Sequence, residues 1–364
     1  PDLSVASAIC ADLDSSPTPY HAVETVRVHL EASGFRPFAA DAGPAGRWFH
    51  AEGGGIIAWV VAEHHDALSP LRIVGAHTDS PNLRIKPQPD VSTLGVAQLG
   101  VEVYGGALTN SWLDRDLGLA GRVVVRSGDG LQVRLVRDDR PLLRVPQLAI
   151  HLDAEFRSSG LNLNRQRHMV PMWGLGEAPA FREYLADQLS VGADDVVSWD
   201  MMAHDLSPAR FAGLDDAFLV SSRLDNQLSC FVATRSLLEV ADGPGDAIPV
   251  LALFDHEEVG SRSARGADGQ LLGAVLQRFC GDGAQSLPRA IDKSWQVSVE
   301  ARPKMTDRLC GSVPRTMARF ESQSSATVTI IISVTRAVHS DQRAACMVRP
   351  KQERQTGRAP VAMR

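Results

Sequence analysis

The sequence has few aromatic residues and no long apolar run, and both absences exclude classes of partner. Aromatic residues make up 5% of the 364 residues, which argues against the stacking surface that binds single-stranded nucleic acid. No run of about 18 apolar residues occurs, so the sequence predicts no membrane-spanning helix. The first residues lack a basic segment followed by an apolar one. We therefore expect a cytoplasmic protein that binds neither nucleic acid nor a membrane.

Cysteines are also sparse, and their positions exclude two kinds of site. The five are odd in number and widely scattered, at Cys10, Cys230, Cys280, Cys310 and Cys346. This spacing fits neither a disulfide framework nor a zinc knuckle, so we expect thiols packed in the core. No Gly-x-Ser-x-Gly segment, phosphate-binding Gly-Lys-Ser loop or dinucleotide-binding glycine motif is present either.

The length and composition indicate a globular chain with a sizeable core. Hydrophobic residues make up 44% and charged residues 22% of the sequence, both ordinary values for a globular protein. The chain exceeds the length of a typical single domain. Two domains, or one large domain with an insertion, are therefore expected.

Two adjacent acids, Glu257 and Glu258, follow a short apolar segment. Residues 248–253 (Ile-Pro-Val-Leu-Ala-Leu) are typical of a buried strand in a parallel sheet. Open α/β sheets bind ligands at the carboxyl ends of their strands. Side chains adjacent on an extended backbone point in opposite directions, so one acid can bind a metal while the other moves a proton. A solvated acidic turn is the alternative.

Polar residues follow two other predicted strands in the same way. His77 and Asp79 come directly after the strand at 71–76, where a carboxylate can orient a metal-binding imidazole; a structural histidine is the alternative. Asp225 lies between the predicted strand at 217–220 and a helix. Such strand-end residues meet when their strands lie side by side, as α/β topology favours.

A β-rich segment separates these motifs. Alternating apolar residues on either side of Gly128-Asp129-Gly130 predict a hairpin, and a helix is expected near 181–189. We place the limits of this insertion at about residues 89–215. It carries His151 and His168, each of which suits a surface or a core position.

One imidazole with several carboxylates is a donor set that zinc, manganese and cobalt accept. Asp225 can bridge two ions, which would clamp and acidify a water molecule. Glu257, next to a metal ligand but not bound itself, can take the proton of that water and pass it to the leaving amine.

At this point the sequence resembles the aspartyl aminopeptidases, which are dinuclear zinc exopeptidases. The resemblance covers about residues 1–280. The matching runs are Ser15–His21, Gly75–Pro81, Leu83–Pro87, Tyr104–Gly106, Trp112–Leu117, Val145–Leu152, Ser222–Asn226 and Asp255–Ser261. They stand in the family's order and at roughly its spacing.

The resemblance implies both a fold and a set of roles. The fold is α/β, with a three-layer α/β/α zinc-exopeptidase-like catalytic domain (1–88 and 216–364) and an inserted β-rich oligomerisation domain (89–215). The roles are one zinc ion on His77, a second on Glu258, both bridged by Asp225, with Glu257 as general base and Asp79 orienting His77.

The resemblance also implies an assembly and a reaction. The assembly is a large tetrahedral shell, a dodecamer, in which His151 reaches the active site of a neighbouring subunit. The reaction is removal of an N-terminal Asp or Glu from peptides, with two zinc ions per subunit and manganese or cobalt as alternatives.

The family's motifs end after about Cys280. The family continues with an Ala-Asp-x-Ala-His-Ala run, whose Asp binds zinc, and a later Met-His-Ser, whose His completes the second site. Here Glu300 and His339 stand in those positions, and ordinary surface residues are the alternative. The rival to an active enzyme is therefore a catalytically impaired or dead homologue that keeps the shell-forming scaffold.

The charge reverses at the same place. From residue 281 onward, 14 Lys and Arg face 7 Asp and Glu, a net charge of +7, whereas the first 280 residues carry 23 against 36, or −13. Residues 326–334 are still typical of a strand, and residues 349–364 have the composition of a disordered tail. These features indicate a shifted reading frame or a divergent replacement.

The reading-frame hypothesis predicts that the gene, translated in one of its other two frames after codon 280, contains the missing Ala-Asp-x-Ala-His-Ala run. Sequencing the gene and translating all three frames checks this. If neither alternative frame restores the run, the segment is a divergent replacement.

Overall fold

The structure is a computed structural model that describes residues 3–39, 43, 45–128, 130–153, 156–280, 286–301 and 330–336. Its α-helices are α1 (Leu3–Ser15), α2 (Pro19–Ala32), α3 (Phe156–Ser159), α4 (Phe181–Leu189), α5 (Leu224–Val240), α6 (Leu271–Cys280) and α7 (Ser286–Asp292). Within the described part of the chain, no helix is long and apolar enough to cross a membrane.

The strands belong to three sheets. They are β1 (Arg36–Pro37), β2 (Gly46–Glu52), β3 (Gly55–Val61), β4 (Leu71–His77), β5 (Asn82–Thr93), β6 (Val96–Tyr104), β7 (Leu117–Ser127), β8 (Gly130–Leu143), β9 (Met172–Leu175), β10 (Val196–Asp205), β11 (Arg210–Ala212), β12 (Phe218–Val220), β13 (Ile248–Phe254), β14 (Trp295–Ala301) and β15 (Ile330–Arg336).

The largest sheet has seven strands in the order β1-β2-β3-β13-β4-β14-β15. Strand β13 pairs in parallel with β4, with Phe254 opposite His77, and antiparallel with β3. The sheet is therefore mixed, and the expectation of a parallel environment for β13 holds on its β4 side alone. Because β4 and β13 run in parallel, the loops that follow them leave the same edge of the sheet.

Helices cover both faces of this sheet, so this part of the chain has a three-layer α/β/α arrangement, as expected. Helices α2 and α5 pack on one face through apolar residues such as Leu30 and Leu237. On the other face, α6 and α7 contribute Val275 and Ala290. Strand β3, which is buried along its whole length, lies between the two helical layers.

Helix α2 illustrates how local chemistry sets an element's limits. Its first residue is Pro19, where a missing N–H removes no helical hydrogen bond. The hydroxyl of Thr18 accepts a hydrogen bond from the backbone N–H of His21. The helix is followed by Gly34, whose φ of 81° lies in the left-handed region that glycine adopts without strain.

The second sheet has six strands in the order β8-β7-β10-β5-β6-β9, all paired antiparallel. Strands β7 and β8 form the expected hairpin, with Ser127 opposite Gly130. The core between this sheet and α4 includes Leu119, Val123 and Phe181. The sheet already begins at Asn82, and the domain limits at 89 and 215 stay a prediction.

Strands β14 and β15 extend the large sheet beyond residue 280. Strand β14 pairs in parallel with β4, with Ser298 opposite Gly75, and antiparallel with β15. Of the strand predicted at 326–334, residues 330–334 lie in β15 and the rest lie outside the described residues. The predicted tail at 349–364 also lies outside them.

A polar junction connects the amino-terminal helices with the six-stranded sheet. The Arg137 guanidinium on β8 donates a hydrogen bond to the carbonyl oxygen of Asp14 at 2.8 Å. His204, which is 4% exposed on β10, lies 3.5 Å from Asp139. Burial and the nearby Arg223 cation lower the pKa of His204 to about 4. This histidine is therefore neutral in the folded protein near pH 7.

The position of β13 in the middle of the large sheet predicts a strong effect of Leu251→Ala. Leu251 is fully buried, and deleting such a side chain lowers the free energy of unfolding by about 2–5 kcal/mol. Urea denaturation followed by circular dichroism measures it. Leu214→Ala, at a side chain that is 86% exposed, is the matched control, with an expected change within about 0.5 kcal/mol. Equal losses would contradict this placement of Leu251.

The lowered pKa of His204 predicts a loss of stability in mild acid. Because the pKa of His204 in the folded protein lies below the ordinary 6.5, this side chain binds a proton more tightly in the unfolded chain than in the folded protein. The stabilisation is thus complete above pH 6.5 and declines as the pH falls towards 4. Between pH 7 and 5, His204→Gln should lose about 1–2 kcal/mol less unfolding free energy than the wild type.

Urea denaturation at both pH values gives this difference. His168→Gln, at an exposed histidine, is the control. If His204→Gln loses as much unfolding free energy between pH 7 and pH 5 as the wild type does, His204 is not the source of the loss.

Candidate metal centre

The candidate centre lies at the edge of the large sheet where β4 and β13 end. The backbone N–H of Thr78 donates to the carbonyl oxygen of Phe254 at 2.8 Å, which keeps the two strand ends together. His77 is the last residue of β4, and the Glu257–Val259 turn begins three residues after β13. The two motifs that the sequence predicted to meet therefore do lie side by side.

His77 is the centre of the cluster. Its Nε2 atom lies 3.3 Å from Asp225 Oδ1 and 3.9 Å from Glu257 Oε2. Its Nδ1 atom lies 3.3 Å from Asp79 Oδ1 and 3.0 Å from the carbonyl oxygen of the same residue. Burial lowers the pKa of His77, but hydrogen bonds to Asp225 and Asp79 outweigh it and raise the pKa to about 10. The surrounding carboxylates thus favour a positive charge here.

Asp79 is fully buried and accepts hydrogen bonds from several parts of the chain. The backbone N–H groups of Glu257 and Glu258 donate to its two oxygens, each at 3.1 Å. The Tyr104 hydroxyl also donates to Oδ2, at 2.7 Å. Burial raises the pKa of Asp79, but these contacts and His77 outweigh burial and lower it, so the carboxylate stays ionised.

The two acids lie in a turn of 3₁₀ helix over Glu257–Val259. The expectation of an extended backbone at Glu257 and Glu258 was therefore wrong, because Asp79 draws both N–H groups towards one carboxylate and this requires a turn. The two side chains nevertheless differ in their surroundings: that of Glu257 is 47% exposed, whereas that of Glu258 is partly buried.

Glu258 packs against the end of β6. A Cβ atom on Gly105 would lie 2.9 Å from Cβ of Glu258, so glycine is required for this approach. Burial, together with the negative charges of Asp79 and Asp225, raises the pKa of Glu258 to about 7, although the His77 charge opposes the shift. A cation bound here would relieve the repulsion among these carboxylates.

Asp225 lies at the predicted strand-to-helix turn, but the strand before it does not belong to the large sheet. The strand predicted before it, β12, pairs with β11 in a separate two-stranded sheet. Asp225 is instead positioned by the start of α5, where the Ser80 hydroxyl donates to its carbonyl oxygen at 2.8 Å. Gln227 Nε2 donates to the carbonyl oxygen of Thr78 at 2.5 Å. These contacts hold the first turn of α5 against the loop after β4.

Three residues that position the centre were missed by the sequence reasoning. Ser80 and Tyr104 lie within the family-like runs but had no assigned role, and Gln227 lies just after one. Their contacts join residues far apart in the chain, and Gln227 is 149 positions from Thr78. No local pattern marks such contacts.

The other predicted site residues lie elsewhere or beyond description. His151 is exposed in a turn after β8, and among the described residues no hydrogen bond or ion pair joins it to His77 or the acids. Glu300 lies in β14, its backbone opposite Ile331, and its side chain is outside the description. His339 lies outside the described residues.

The donors present fit a zinc ion, although the centre is incomplete within the described chain. Two donors each about 2.0–2.1 Å from a tetrahedral zinc stand about 3.3–3.4 Å apart, and His77 Nε2 and Asp225 Oδ1 are 3.3 Å apart. Among the described residues, no group of three or more His, Cys, Asp or Glu side chains already has metal-binding geometry. The chemistry of the donors fits, and further donors are needed.

A cleft of about 550 Å³ opens beside the cluster. Asp225 and Glu258 line it together with Thr78 and Ser80 of the loop after β4. A positively charged side chain, that of Arg223, also lines the cleft. A substrate in this cleft would lie against two of the candidate metal ligands.

Comparisons with known proteins agree on one family. A sequence model described as aminopeptidase I zinc metalloprotease (M18) matches residues 13–334, so the similarity continues past the last family-like run. A probable M18 family aminopeptidase 2 from Streptomyces coelicolor is 51% identical over 274 residues, covering 73% of this chain. The chain spans 63% of that relative's length.

Solved structures agree in fold. A chain in the cryo-EM structure of the Ape4 and Nbr1 complex superposes with a TM-score of 0.78 and 33% identity, covering 84% of this chain and 64% of that one. The S. cerevisiae mApe1 dodecamer superposes with a TM-score of 0.68 and 23% identity, covering 80% and 70%. With its three-layer fold and the family match over residues 13–334, the chain belongs to the M18 aminopeptidase family of zinc metalloproteases.

Proposed function

We propose that this protein is a metal-dependent aminopeptidase that removes N-terminal Asp or Glu residues from peptides, using two zinc ions per subunit. Manganese and cobalt are the alternative metals. The observation that carries the proposal is the convergence on His77 Nε2 of Asp225 at 3.3 Å and Glu257 at 3.9 Å. These residues come from three separate segments of the chain, and all of them suit metal-assisted hydrolysis.

The proposed ligands divide between two ions. His77 would hold one and Glu258 the other, with Asp225 bridging both. Glu300 and His339 are proposed as the remaining protein donors, which would complete ligand sets that His77, Asp225 and Glu258 leave short. Bound zinc would polarise the scissile carbonyl and lower the pKa of a water molecule.

Glu257 is the proposed general base. Its side chain is 47% exposed and lies 3.9 Å from His77 Nε2, so water reaches it beside the proposed metal ligand. Its backbone N–H is held by Asp79 at 3.1 Å, which limits where the carboxylate can move. Glu257 would take a proton from the attacking water and deliver it to the leaving amine.

The preference for an acidic first residue rests on the family resemblance, and one feature of the cleft supports it. Arg115, Arg210 and Arg223 line the same cleft as Asp225 and Glu258. Guanidinium groups bind carboxylates with two parallel hydrogen bonds. The cleft thus offers candidates for pairing with the side chain of an N-terminal Asp or Glu.

Self-association is the last part of the proposal. The S. cerevisiae neighbour is described as a dodecamer, and we propose the same closed assembly here. The six-stranded sheet supports self-association, because its edge strand β8 exposes the apolar side chains of Leu131 and Val133, which a neighbouring subunit could cover. His151, exposed in the turn after that strand, would reach the active site of a neighbouring subunit.

The proposal predicts that Glu257→Gln lowers kcat about 10²–10⁴-fold, because the amide cannot accept the proton. Zinc content should be unchanged, since Glu257 is not a proposed ligand. Release of Asp from an Asp-initiated peptide gives the rate, and elemental analysis of purified protein gives zinc per chain. Glu63→Gln, at an exposed glutamate after β3, is the matched control with wild-type activity.

The same assays separate the rival. Two zinc ions per chain, faster release of Asp than of Leu, and loss of activity in Glu257→Gln support the proposal. A purified wild type that binds no zinc and releases no amino acid is instead the impaired scaffold homologue.

A further inference from the structure

Tyr104 connects the six-stranded sheet with the candidate metal centre. It is the last residue of β6, and its hydroxyl donates to Asp79 Oδ2 at 2.7 Å. Among the described residues, the backbone N–H groups of Glu257 and Glu258 also donate to Asp79, and His77 lies beside its Oδ1. Tyr104 is therefore the contact to this carboxylate that the second sheet supplies.

The ring of Tyr104 is itself held in place. The guanidinium carbon of Arg84 lies 3.8 Å from the ring centroid, a favourable cation–π arrangement. Arg84 Nη1 donates to Asp200 Oδ1 at 3.2 Å, and the Tyr20 hydroxyl of α2 donates to the other oxygen of Asp200. A continuous set of contacts thus runs from α2 through β10 and β5 to the phenol.

The two oxygens of Asp79 have separate tasks. Oδ1 faces His77 Nδ1 at 3.3 Å and accepts the Glu257 N–H. Oδ2 accepts the Tyr104 hydroxyl and the Glu258 N–H. Without the hydroxyl, Oδ2 keeps one donor, and the carboxylate is freer to rotate about its Cβ–Cγ bond. Rotation moves Oδ1 away from His77 and loosens the turn that carries both acids.

We propose that Tyr104 is a positioning residue for the metal centre, acting through Asp79 to fix the His77 ring and the Glu257–Glu258 turn. The inference rests on the proposed function, since it requires that His77 and Glu258 bind zinc. Carboxylates that orient a metal-binding imidazole affect metal affinity strongly, and Tyr104 donates to the oxygen of this carboxylate that does not face His77. The six-stranded sheet thereby contributes to zinc affinity as well as to any assembly.

The test is the zinc dissociation constant of the metal-free full-length protein, measured by competition with a chromophoric chelator. Tyr104→Phe removes one hydroxyl and leaves the ring against Arg84. It should weaken zinc binding about tenfold, the low end of the effect of losing such outer contacts. Tyr184→Phe is the matched control, because Tyr184 also donates to a buried carboxylate, Asp138 Oδ2 at 2.8 Å, in the core of the six-stranded sheet. Its zinc affinity should stay within about twofold of the wild type.

A double-mutant cycle separates positioning from a general loss of structure. In an Asp79→Ala background, Tyr104→Phe should change zinc affinity by less than about twofold, because its partner is gone. Circular dichroism and thermal unfolding establish that each variant is folded. If Tyr104→Phe does not fold, Arg84→Lys, which weakens the hold on the ring but keeps the hydroxyl, is measured instead and should weaken zinc binding by a smaller factor.

Three outcomes overturn the inference. In the first, Tyr104→Phe binds zinc as tightly as the wild type. In the second, Tyr104→Phe weakens zinc binding no more than Tyr184→Phe does. In the third, Tyr104→Phe weakens zinc binding by the same factor in the Asp79→Ala background as in the wild-type background. Each of these leaves the proposed function standing if the wild type binds zinc and releases Asp. A wild type that binds no zinc at all defeats the proposed function, and this inference with it.

Discussion

The rest of the site depends on the hydrogen bonds that the buried carboxylate of Asp79 accepts. An ionised carboxylate without water requires several donors, and an unpaired one would be costly. Here the donors come from the turn after β13 and from the end of β6, and the charge lies beside the ring of His77. The hydrogen bonds to this one group therefore hold the end of β6 in the six-stranded sheet next to the turn that follows β13 in the seven-stranded sheet. The candidate ligands acquire their positions as a consequence.

The parallel pairing of β4 and β13 supplies the second constraint. With Phe254 opposite His77, the polar residues that follow each strand meet at one edge of the sheet. Helix α5 then adds Asp225 through hydrogen bonds from Ser80 and Gln227. The residues that line the cleft beside this edge include both carboxylates and guanidinium groups.

The segment after residue 280 shows how two kinds of sequence information differ. The short family-like runs, which consist of specific side chains, end near Cys280. The family model nevertheless matches as far as residue 334, and β14 and β15 take places in the large sheet. A strand next to β4 requires apolar residues at alternating positions, such as Val297 and Val299.

The sequence by itself determined the main elements. Strand β3, helix α4 and the β7–β8 hairpin follow from periodicity and turn residues, and His77 and Glu257 were predicted as site residues from their places after apolar strands. Tertiary structure alone decided that the strand before Asp225 lies outside the large sheet, that the two acids share a turn of 3₁₀ helix, and that the Tyr104 hydroxyl donates to Asp79. Local patterns record the backbone preferences of neighbouring residues. They carry no record of hydrogen bonds between residues tens of positions apart, because those depend on how the sheets and helices pack.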